Sequence, residues 1–508
     1  MRTFLVSVFF VTVGCGNTAG MVDNTRPDSG QGATGGGSSV AGGSSGGGTS
    51  GTGGGATAGG QSGGTVDTAT ITVSPAPRRG PIAVSVTAPV DTWELRVRND
   101  GGTKTATLLR GSTRDGGSGE LTWQSFDDVD ADGPVQLEVV SGGMVLGRAT
   151  ANLRNDPATK RLITIGHPLV GLDGGGVTAR HTELSVGQWN GTDLTGVRRL
   201  QAGLGPKLHR AAPHGRATVV VADTGGSLSI IETPLDANPV NARVLHTGIR
   251  PPRGEVIDAR FSHDGRHLWV VGSAPSGSSD YTLWRFTPSE DLATLGTATQ
   301  VAEIPGPALQ LDVERETGRV VLPVSPGLQN RPERVMVIDP YETARTHITP
   351  VVTGTPAGFA VAPKGGFVLV SDEAFMPGLG LIALGANSSM LATRNTVIAE
   401  PADIVFHPDS DGTRSVALVS QPFRNRATPV VITPAGIALG TAVTGLPLGS
   451  TSDLIERGPQ KGSVFITGVT ELFRVQLDAM NGTAANQGAV IDFGSEPTDQ
   501  AQGVAVQR

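Results

Sequence analysis

Seven short runs of alternating apolar and polar residues lie between Asp67 and Asn155. They are separated by Gly, Pro, Asp or Asn, and read ATITVSP, IAVSVTAP, TWELRVRND, TATLLRG, GELTWQSF, GPVQLEVV and LGRATANL. Period-two runs with turn residues every 8–12 positions, roughly, are typical of strands in a β-sandwich. The pattern therefore predicts an all-β domain of seven strands over residues 67–155.

Two tryptophans in this region carry a family resemblance. Trp93 lies in WELRVRNDGG, and Trp123 lies in LTWQSFDDVDADGPVQLEV. Their spacing and the acidic turn after the second resemble the Ig-like domain of flagellar hook-capping proteins and other exported bacterial proteins. The resemblance implies an Ig-like spacer or adhesion module with no chemistry of its own.

A longer repeat occupies residues 156–508. A short apolar strand, a polar turn with glycine and a Val-rich strand recur about every 50 residues, a period typical of propeller blades. An apolar third strand usually follows, as in SLSIIET and RVMVIDP. The turn glycines of the six recognisable units are Gly215, Gly265, Gly318, Gly365, Gly412 and Gly462.

A seventh unit is divided between the two ends of this region. KRLITIGHP, HTELSVGQWN and GVRRLQAG, between Lys160 and Gly203, predict a second, a third and a fourth strand without a first. AQGVAVQR, at 501–508, aligns with PAGFAVAP and PADIVFHP and supplies the missing strand. Pairing these ends would remove two open sheet edges. The sequence therefore predicts a seven-bladed β-propeller closed by its last strand.

The repeats FSHDGRHLWVVG and GFAVAPKGGFVLVSD resemble the YVTN-type and lactonase-like seven-bladed propellers. Phe261, Asp264, Gly265, Leu268 and Val270 match that repeat. The resemblance implies the fold but no single activity, because this fold includes lactonases, binding scaffolds and cofactor enzymes.

The N-terminus has the outline of an export signal over residues 1–15. Met1-Arg2 is followed by the apolar run FLVSVFFVTV and by Gly14-Cys15. This resembles the lipobox of bacterial lipoproteins, in which the cysteine receives the lipid, although Thr12 stands where leucine is usual. With Gly16 after Cys15, the resemblance implies an outer-membrane lipoprotein on the periplasmic or cell-surface face. The alternative is an ordinary signal peptide that contains a cysteine.

Residues 16–66 are dominated by Gly, Ser, Thr and Ala. Such a tract buries too little apolar surface to offset its ordering entropy, so a disordered tether is expected. About 50 residues of flexible coil reach roughly 40 Å. The net charge of −7 argues against a nucleic-acid partner.

Asp128, Asp130, Asp132 and Gly133 form D-x-D-x-D-G, the first half of a calcium loop. Val139 stands where that loop requires glutamate. We therefore favour a solvated acidic turn, and calcium is the only cofactor that the sequence suggests.

Candidate chemistry in the propeller is sparse. Asp258, Asp403 and Asp453 are expected just before inner strands, at equivalent places of their repeats. There they could ring the channel mouth and bind a cation or a basic ligand. The alternative, which we favour, is that these residues cap loop backbone. His214, His263 and His407 lie beside turn glycines and are expected at the surface, whereas His167, His181 and His209 lie nearer to inter-strand loops.

These patterns predict a non-enzymatic binding or scaffold protein. Its expected partners are the membrane, through the lipid on Cys15, and a protein or envelope ligand at a propeller face. The alternative is a lactonase-like or other hydrolytic enzyme acting at the central channel.

Overall fold

In this computed structural model, the described residues belong to one compact unit, Thr65–Arg508. They are residues 69–508 without 75–81, 91, 99–104, 113–117, 124–132, 154–159, 168–169, 174–175, 180–181, 204, 214, 223–225, 263–264, 274–279, 290, 309, 316–317, 325–333, 340–345, 349–355, 365, 373–377, 385–389, 393–397, 412, 447–450, 457, 459, 469–470 and 494–502. Cys15, the tether, the candidate calcium ligands Asp128, Asp130 and Asp132, and the histidines His181, His214 and His263 lie outside the described residues.

Two antiparallel sheets form the first part of the described chain. Their strands are β1 (Thr70–Val73), β2 (Ile82–Thr87), β3 (Thr92–Arg98), β4 (Thr105–Ser112), β5 (Ser118–Trp123), β6 (Gly133–Ser141) and β7 (Met144–Leu153). The orders are β1-β2-β5 and β4-β3-β6-β7. The seven predicted runs are therefore strands, and their alternation follows the pleat: in β2 every second residue is buried.

Trp93 is the largest side chain of the core between these two sheets and is 2% exposed. Its indole ring lies against β4 and β5. A Cβ atom at Gly111 would lie 2.1 Å from the ring, so only glycine leaves room for the tryptophan there. Gly111 and Trp93 therefore pack as a matched pair of a small and a large residue.

Seven further antiparallel sheets follow in chain order, with an extra hairpin of β9 and β10 between β8 and β11. The strands are β8 (Arg161–Gly166), β9 (Val170–Asp173), β10 (Gly176–Ala179), β11 (Glu183–Trp189), β12 (Leu194–Gln201), β13 (Pro206–Ala211), β14 (Ala217–Ala222), β15 (Leu228–Glu232), β16 (Arg243–Ile249), β17 (Val256–Phe261), β18 (Leu268–Gly272), β19 (Asp280–Phe286), β20 (Thr299–Pro305), β21 (Asp312–Val313), β22 (Val320–Val324), β23 (Arg334–Ile338), β24 (Thr346–Ile348), β25 (Pro356–Val361), β26 (Phe367–Asp372), β27 (Gly378–Ala383), β28 (Met390–Ala392), β29 (Ile404–Phe406), β30 (Ser415–Gln421), β31 (Arg426–Thr433), β32 (Gly436–Leu439), β33 (Val443–Thr444), β34 (Ser452–Leu454), β35 (Ser463–Thr467), β36 (Glu471–Asp478), β37 (Thr483–Asp492) and β38 (Gly503–Val506).

Six of these sheets contain four consecutive neighbours: β13 to β16, β17 to β20, β21 to β24, β25 to β28, β29 to β32 with β33 added, and β34 to β37. The seventh, which we call the seam sheet, has the order β12-β11-β8-β38. Two short 3₁₀ turns, Pro239–Asn241 and Pro422–Arg424, complete the described secondary structure. The all-β fold is confirmed, with a propeller-like succession of sheets.

The sequence predicts that the last strand completes the sheet that begins near Lys160. The pairing of β38 with β8 confirms this prediction. Val504 lies opposite Ile165, and Val506 lies opposite Ile163, in an antiparallel register. Every residue of both strands is buried. A short unbroken apolar run is typical of a strand covered on both faces, which explains why RLITIG does not alternate.

Each sheet shares an apolar core with the next. The seam sheet packs on one face against β13 to β16, through Leu162 and Val220, and on the other against β34 to β37, through Ile163 and Phe465. The other sheets share cores in the same successive manner. Every sheet is therefore covered on both faces by its neighbours.

The recurring turn glycines have a backbone reason. Gly215, Gly265, Gly318 and Gly462 have φ values of 70°, 71°, 72° and 83°. In this left-handed region a side chain is strained, whereas glycine is not. The repeat is visible in the sequence because the same turn requires glycine in these four sheets; Gly365 and Gly412 lie outside the described residues.

Candidate ligand-binding cavity

A cavity of about 180 Å³ lies where the first strands of the sheets meet. Its wall includes residues of β13, β17, β21, β25 and β34, residues at and beside β29, and Arg508, which follows β38. The first strands also contact one another in sequence, from β13 through β34, and β38 contacts both β34 and β13. The circle is therefore closed around this space, which we call the central cavity.

Four aspartates tie these first strands together. The carboxylate of Asp258 accepts a hydrogen bond from its own neighbour, Ala259 N, at 2.8 Å. Its other oxygen accepts from Leu311 N, beside the first strand of the following sheet, at 2.9 Å. Asp312 does the same with Val313 N at 2.7 Å and Val361 N at 2.9 Å.

The other two aspartates repeat the arrangement. One oxygen of Asp403 accepts from the backbone N and the hydroxyl of Ser452, at 2.7 and 2.8 Å. Asp453 accepts from Leu454 N at 2.9 Å and from Val506 N at 2.7 Å. We call the four residues Asp258, Asp312, Asp403 and Asp453 the aspartate clamps, because each carboxylate joins one first strand to the next.

A local irregularity places one of these carboxylates. The pairing of β17 with β18 slips between Val256 and Asp258, leaving an extra residue in the first strand. The same slip precedes Leu208 in β13 and Gly358 in β25. A bulge re-aims the side chain that follows it. Because Asp258 follows such a bulge, its carboxylate is presented to the next sheet and is completely buried.

Arginines neutralise two of the clamps. Arg260 donates from Nη1 to Asp312. Arg508 donates from Nη2 to Asp453 at 2.9 Å, and its Nη1 lies 3.3 Å from Glu456. These ion pairs are mostly buried, with exposed side-chain fractions of 11–30%. Removing one partner of such a pair leaves an uncompensated charge in a low-dielectric site.

Arg210, on β13, also lines the cavity, but differs from the other two arginines. Its Nη1 donates to the carbonyl oxygen of His209 at 3.3 Å, and its buried Nε has no hydrogen-bond partner among the described residues. Burial alone would lower the pKa of the guanidinium, but the carboxylates of the four clamps outweigh burial and raise it. Arg210 therefore stays cationic.

Asp403 shows the opposite imbalance. Burial raises the pKa of its carboxyl group, and the charge of Arg210 together with the hydrogen bonds from Ser452 only partly opposes this. A raised carboxyl pKa in a cavity marks a group whose charge lacks full compensation. Asp403 is thus the group whose charge is under-compensated, whereas the clamps hold Arg210 in its charged form.

His209 is buried beside Arg210 and contacts the seam sheet. Its Nδ1 lies 3.1 Å from the hydroxyl of Thr164, and its Nε2 has no partner among the described residues. Burial, followed by the positive charges of His167 and Arg210, lowers the pKa of His209 to about 3. The ring is therefore neutral at physiological pH and belongs to the wall of the site.

This shift predicts a pH-dependent stability. Between pH 6.5 and about 3 the unfolded chain binds a proton at His209 that the folded chain refuses, so stability falls as pH falls. From pH 7 to pH 5 this one group should cost about 2 kcal/mol. Urea unfolding of wild type and His209→Gln at both pH values measures it, and the stability advantage of wild type over the variant should shrink by that amount. Parallel losses in the two proteins would contradict the assignment.

The structure brings two of the three aspartates singled out from the sequence into the cavity wall. Asp403 and Asp453 line it, whereas Asp258 is buried behind it. All three were expected just before inner strands, but Asp258 lies within β17 and Asp453 within β34. Their carboxylates accept N–H groups largely from adjoining first strands and not from loops alone. Sequence reasoning missed Asp312 and Arg210. A signal existed for Arg210, since Arg210 and Arg260 both lie five residues before a turn glycine.

Two expectations for histidines were wrong. His407 is not a surface turn residue: it is 4% exposed, its Nδ1 accepts from Asp409 N at 3.2 Å, and burial lowers its pKa. His209 lies within β13 and not near a loop. His167 follows β8, is fully buried, and its Nε2 lies 2.8 Å from the Ser185 hydroxyl.

No group of three or more potential metal ligands occurs in the described part of the chain. The described residues also contain no helix that is both long and apolar enough to cross a membrane.

Comparison with known proteins identifies fold-level similarity. No family model and no curated protein matches the chain. A protein of unknown function from Desulfotomaculum acetoxidans has 14% identity and a TM-score of 0.48, over 68% of this chain and 98% of its own. The periplasmic gluconolactonase PpgL of Pseudomonas aeruginosa has 14% identity and 0.47, over 69% and 99%. A Lactobacillus plantarum protein has 12% identity and 0.44, over 69% and 100%. Activity does not follow from fold at such identities.

Proposed function

We propose that the chain is an exported, lipid-anchored binding protein with an Ig-like module and a seven-bladed β-propeller, and that a small polar ligand binds in the central cavity. The closed circle of first strands and the cores shared by successive sheets support seven blades. The orders β1-β2-β5 and β4-β3-β6-β7 support the Ig-like assignment, because Ig sandwiches separate the A, B and E strands from the C, F and G strands.

The aspartate clamps carry the choice of binding over catalysis. A general base needs a carboxylate oxygen that can reach a substrate proton. The carboxylates of Asp258, Asp312 and Asp453 accept backbone N–H groups at both oxygens, and two of them also hold arginines. They are occupied in holding the circle together, and the wall they form is charged, preformed and suited to polar recognition.

Hydrolysis in the same cavity is the second candidate function. Asp403 favours it, because a carboxyl with a raised pKa beside a cationic arginine could exchange protons with a polarised substrate. The two functions differ in one requirement: hydrolysis must consume a lactone or ester, whereas binding changes no covalent bond.

Thermal shift and hydrolysis measurements on the full chain separate these functions. The panel contains polyols, carboxylates, amines, amino acids and simple δ-lactones. We expect at least one small polar compound to raise the melting temperature without being consumed. Lactone turnover that disappears in Asp403→Asn would favour the hydrolytic function instead. A panel in which no compound stabilises the protein or is hydrolysed would reject the cavity as a site.

The anchor is a separate part of the proposal and rests on the sequence around Cys15, the only cysteine. Wild type should incorporate a palmitate analogue and sediment with outer membranes. Cys15→Ser should lose the label and become extractable without detergent. Retention of the label by the variant would contradict attachment at Cys15.

A further inference from the structure

Arg210 and Asp403 carry opposite charges in one cavity, and neither has an ion-pair partner among the described residues. Arg210 lies on β13, which contacts β38 and β17. Asp403 immediately precedes β29, which contacts β25 and β34. The two strands are not neighbours, and both side chains line the cavity.

The donors of Arg210 are largely unused. A guanidinium carries five N–H groups in a planar fork that matches a carboxylate. The described residues account for one hydrogen bond, the 3.3 Å contact with the His209 carbonyl. Arg210 is half-buried and lines the cavity, so its open donors can donate to the oxygens of a ligand.

Among the described residues, Asp403 lacks a cationic partner, just as Arg210 lacks acceptors for most of its donors. The Asp403 carboxylate accepts hydrogen bonds from the backbone and hydroxyl of Ser452 and from the backbone of Ile404, which are all neutral donors. The clamps Asp312 and Asp453 each hold an arginine in addition to their backbone donors. Asp403, like Asp258, has no such cation in the described part of the chain, but unlike Asp258 it lines the cavity, so a positive group of a ligand can reach it.

The charged residues that line the cavity limit the net charge that a ligand can carry. Its ionisable side chains, apart from the neutral His209, are four arginines and four carboxylates, so the wall is formally balanced: Arg210, Arg260, Arg315 and Arg508 against Asp312, Asp403, Asp453 and Glu456. A ligand with one net charge would leave that charge uncompensated in a desolvated space. A ligand with one charge of each sign preserves the balance.

We propose that the central cavity binds a small zwitterion, with its carboxylate on Arg210 and its ammonium group on Asp403. This inference rests on the proposed binding function and specifies its ligand class. The pKa directions agree with it: an ammonium group would relieve the burial that raises the pKa of Asp403, and Arg210 stays charged to receive the carboxylate.

Calorimetric titration of the full chain tests the assignment with matched compounds. The zwitterions are glycine, alanine, β-alanine, γ-aminobutyrate and 5-aminovalerate, which vary the distance between the two charges. Butyrate and butylamine each keep one charge of γ-aminobutyrate. We expect at least one amino acid to bind tenfold or more tightly than both singly charged compounds.

Variants identify the partners. Arg210→Gln should lower the affinity of the preferred amino acid at least tenfold and remove its advantage over butylamine. Asp403→Asn should remove the advantage over butyrate. The exposed residues Arg253 and Asp236 provide the controls Arg253→Gln and Asp236→Asn, which should bind as wild type does. If Asp403→Asn fails to fold, Arg210→Gln and Arg210→Lys still decide the carboxylate half.

The failures are distinguishable. Binding of a neutral polyol together with no binding of any amino acid would overturn the zwitterion assignment but keep the proposed function. Binding of every amino acid no tighter than that of butyrate or butylamine, or undiminished binding by Arg210→Gln, would overturn it as well. If no member of the wider panel binds, the proposed function fails with it.

Discussion

Replacing Gln507 with alanine is expected to lower the free energy of unfolding by about 3 kcal/mol. Gln507 is 5% exposed and lies just beyond β38. Its Nε2 donates to the carbonyl oxygens of Gly215, Thr233 and Pro234 at 2.7–3.0 Å, and its Oε1 accepts from Leu162 N at 3.0 Å. Alanine would leave these buried groups without a partner, which costs more than the hydrogen bonds contribute.

Urea unfolding followed by intrinsic fluorescence measures this effect. Gln300, which is exposed on the edge strand β20, offers the control Gln300→Ala, with an expected change within about 0.5 kcal/mol. Equal stabilities of the two variants would show that the seam does not depend on Gln507. The Gln507 side chain joins the seam sheet to the sheet of β13 to β16. The slope of the unfolding transition, which reports the surface exposed on unfolding, is expected to stay unchanged.

Asp258→Ala is the second large effect, with an expected loss of about 3 kcal/mol. The change leaves the Leu311 N–H without its acceptor inside the protein and opens a space at a fully buried position. Asp258→Asn is expected to be nearly as harmful, because its amide can present only one oxygen to two N–H donors.

The matched control is Asp409→Asn. Asp409 is 49% exposed at its side chain and pairs with Lys461 at 2.8 Å, a surface ion pair worth ~0–1 kcal/mol. The same unfolding experiment compares the three variants. A loss in Asp258→Ala no larger than in Asp409→Asn would mean that the clamp does not join the sheets energetically.

Much of the fold could be predicted because the repeat leaves local evidence. The turn glycines reveal the left-handed turns, and the apolar runs on either side reveal the strands. Even the pairing of β38 with β8, between residues more than 300 positions apart, followed from counting strands in each repeat. The β9–β10 hairpin was missed because its glycines give no period-two pattern.

The chemistry of the cavity was less predictable for a physical reason. The partner of each clamp is a backbone N–H in a different sheet, and backbone donors leave no trace in the residue sequence. Gly358 shows what sequence reasoning cannot detect. It occupies the position in its repeat that Asp258 occupies in its own. A Cβ atom there would lie 1.6 Å from the Ala402 carbonyl oxygen, so no aspartate could be accommodated. Only coordinates reveal such a contact.

The seam imposes an order on folding. Six sheets are built from strands that follow one another along the chain, and each can begin to form from local contacts. β8 instead lacks a partner on one side until residues 503–506 have left the ribosome. During that interval an apolar edge is open to other chains, so the nascent protein is most prone to aggregate before β38 has paired with β8.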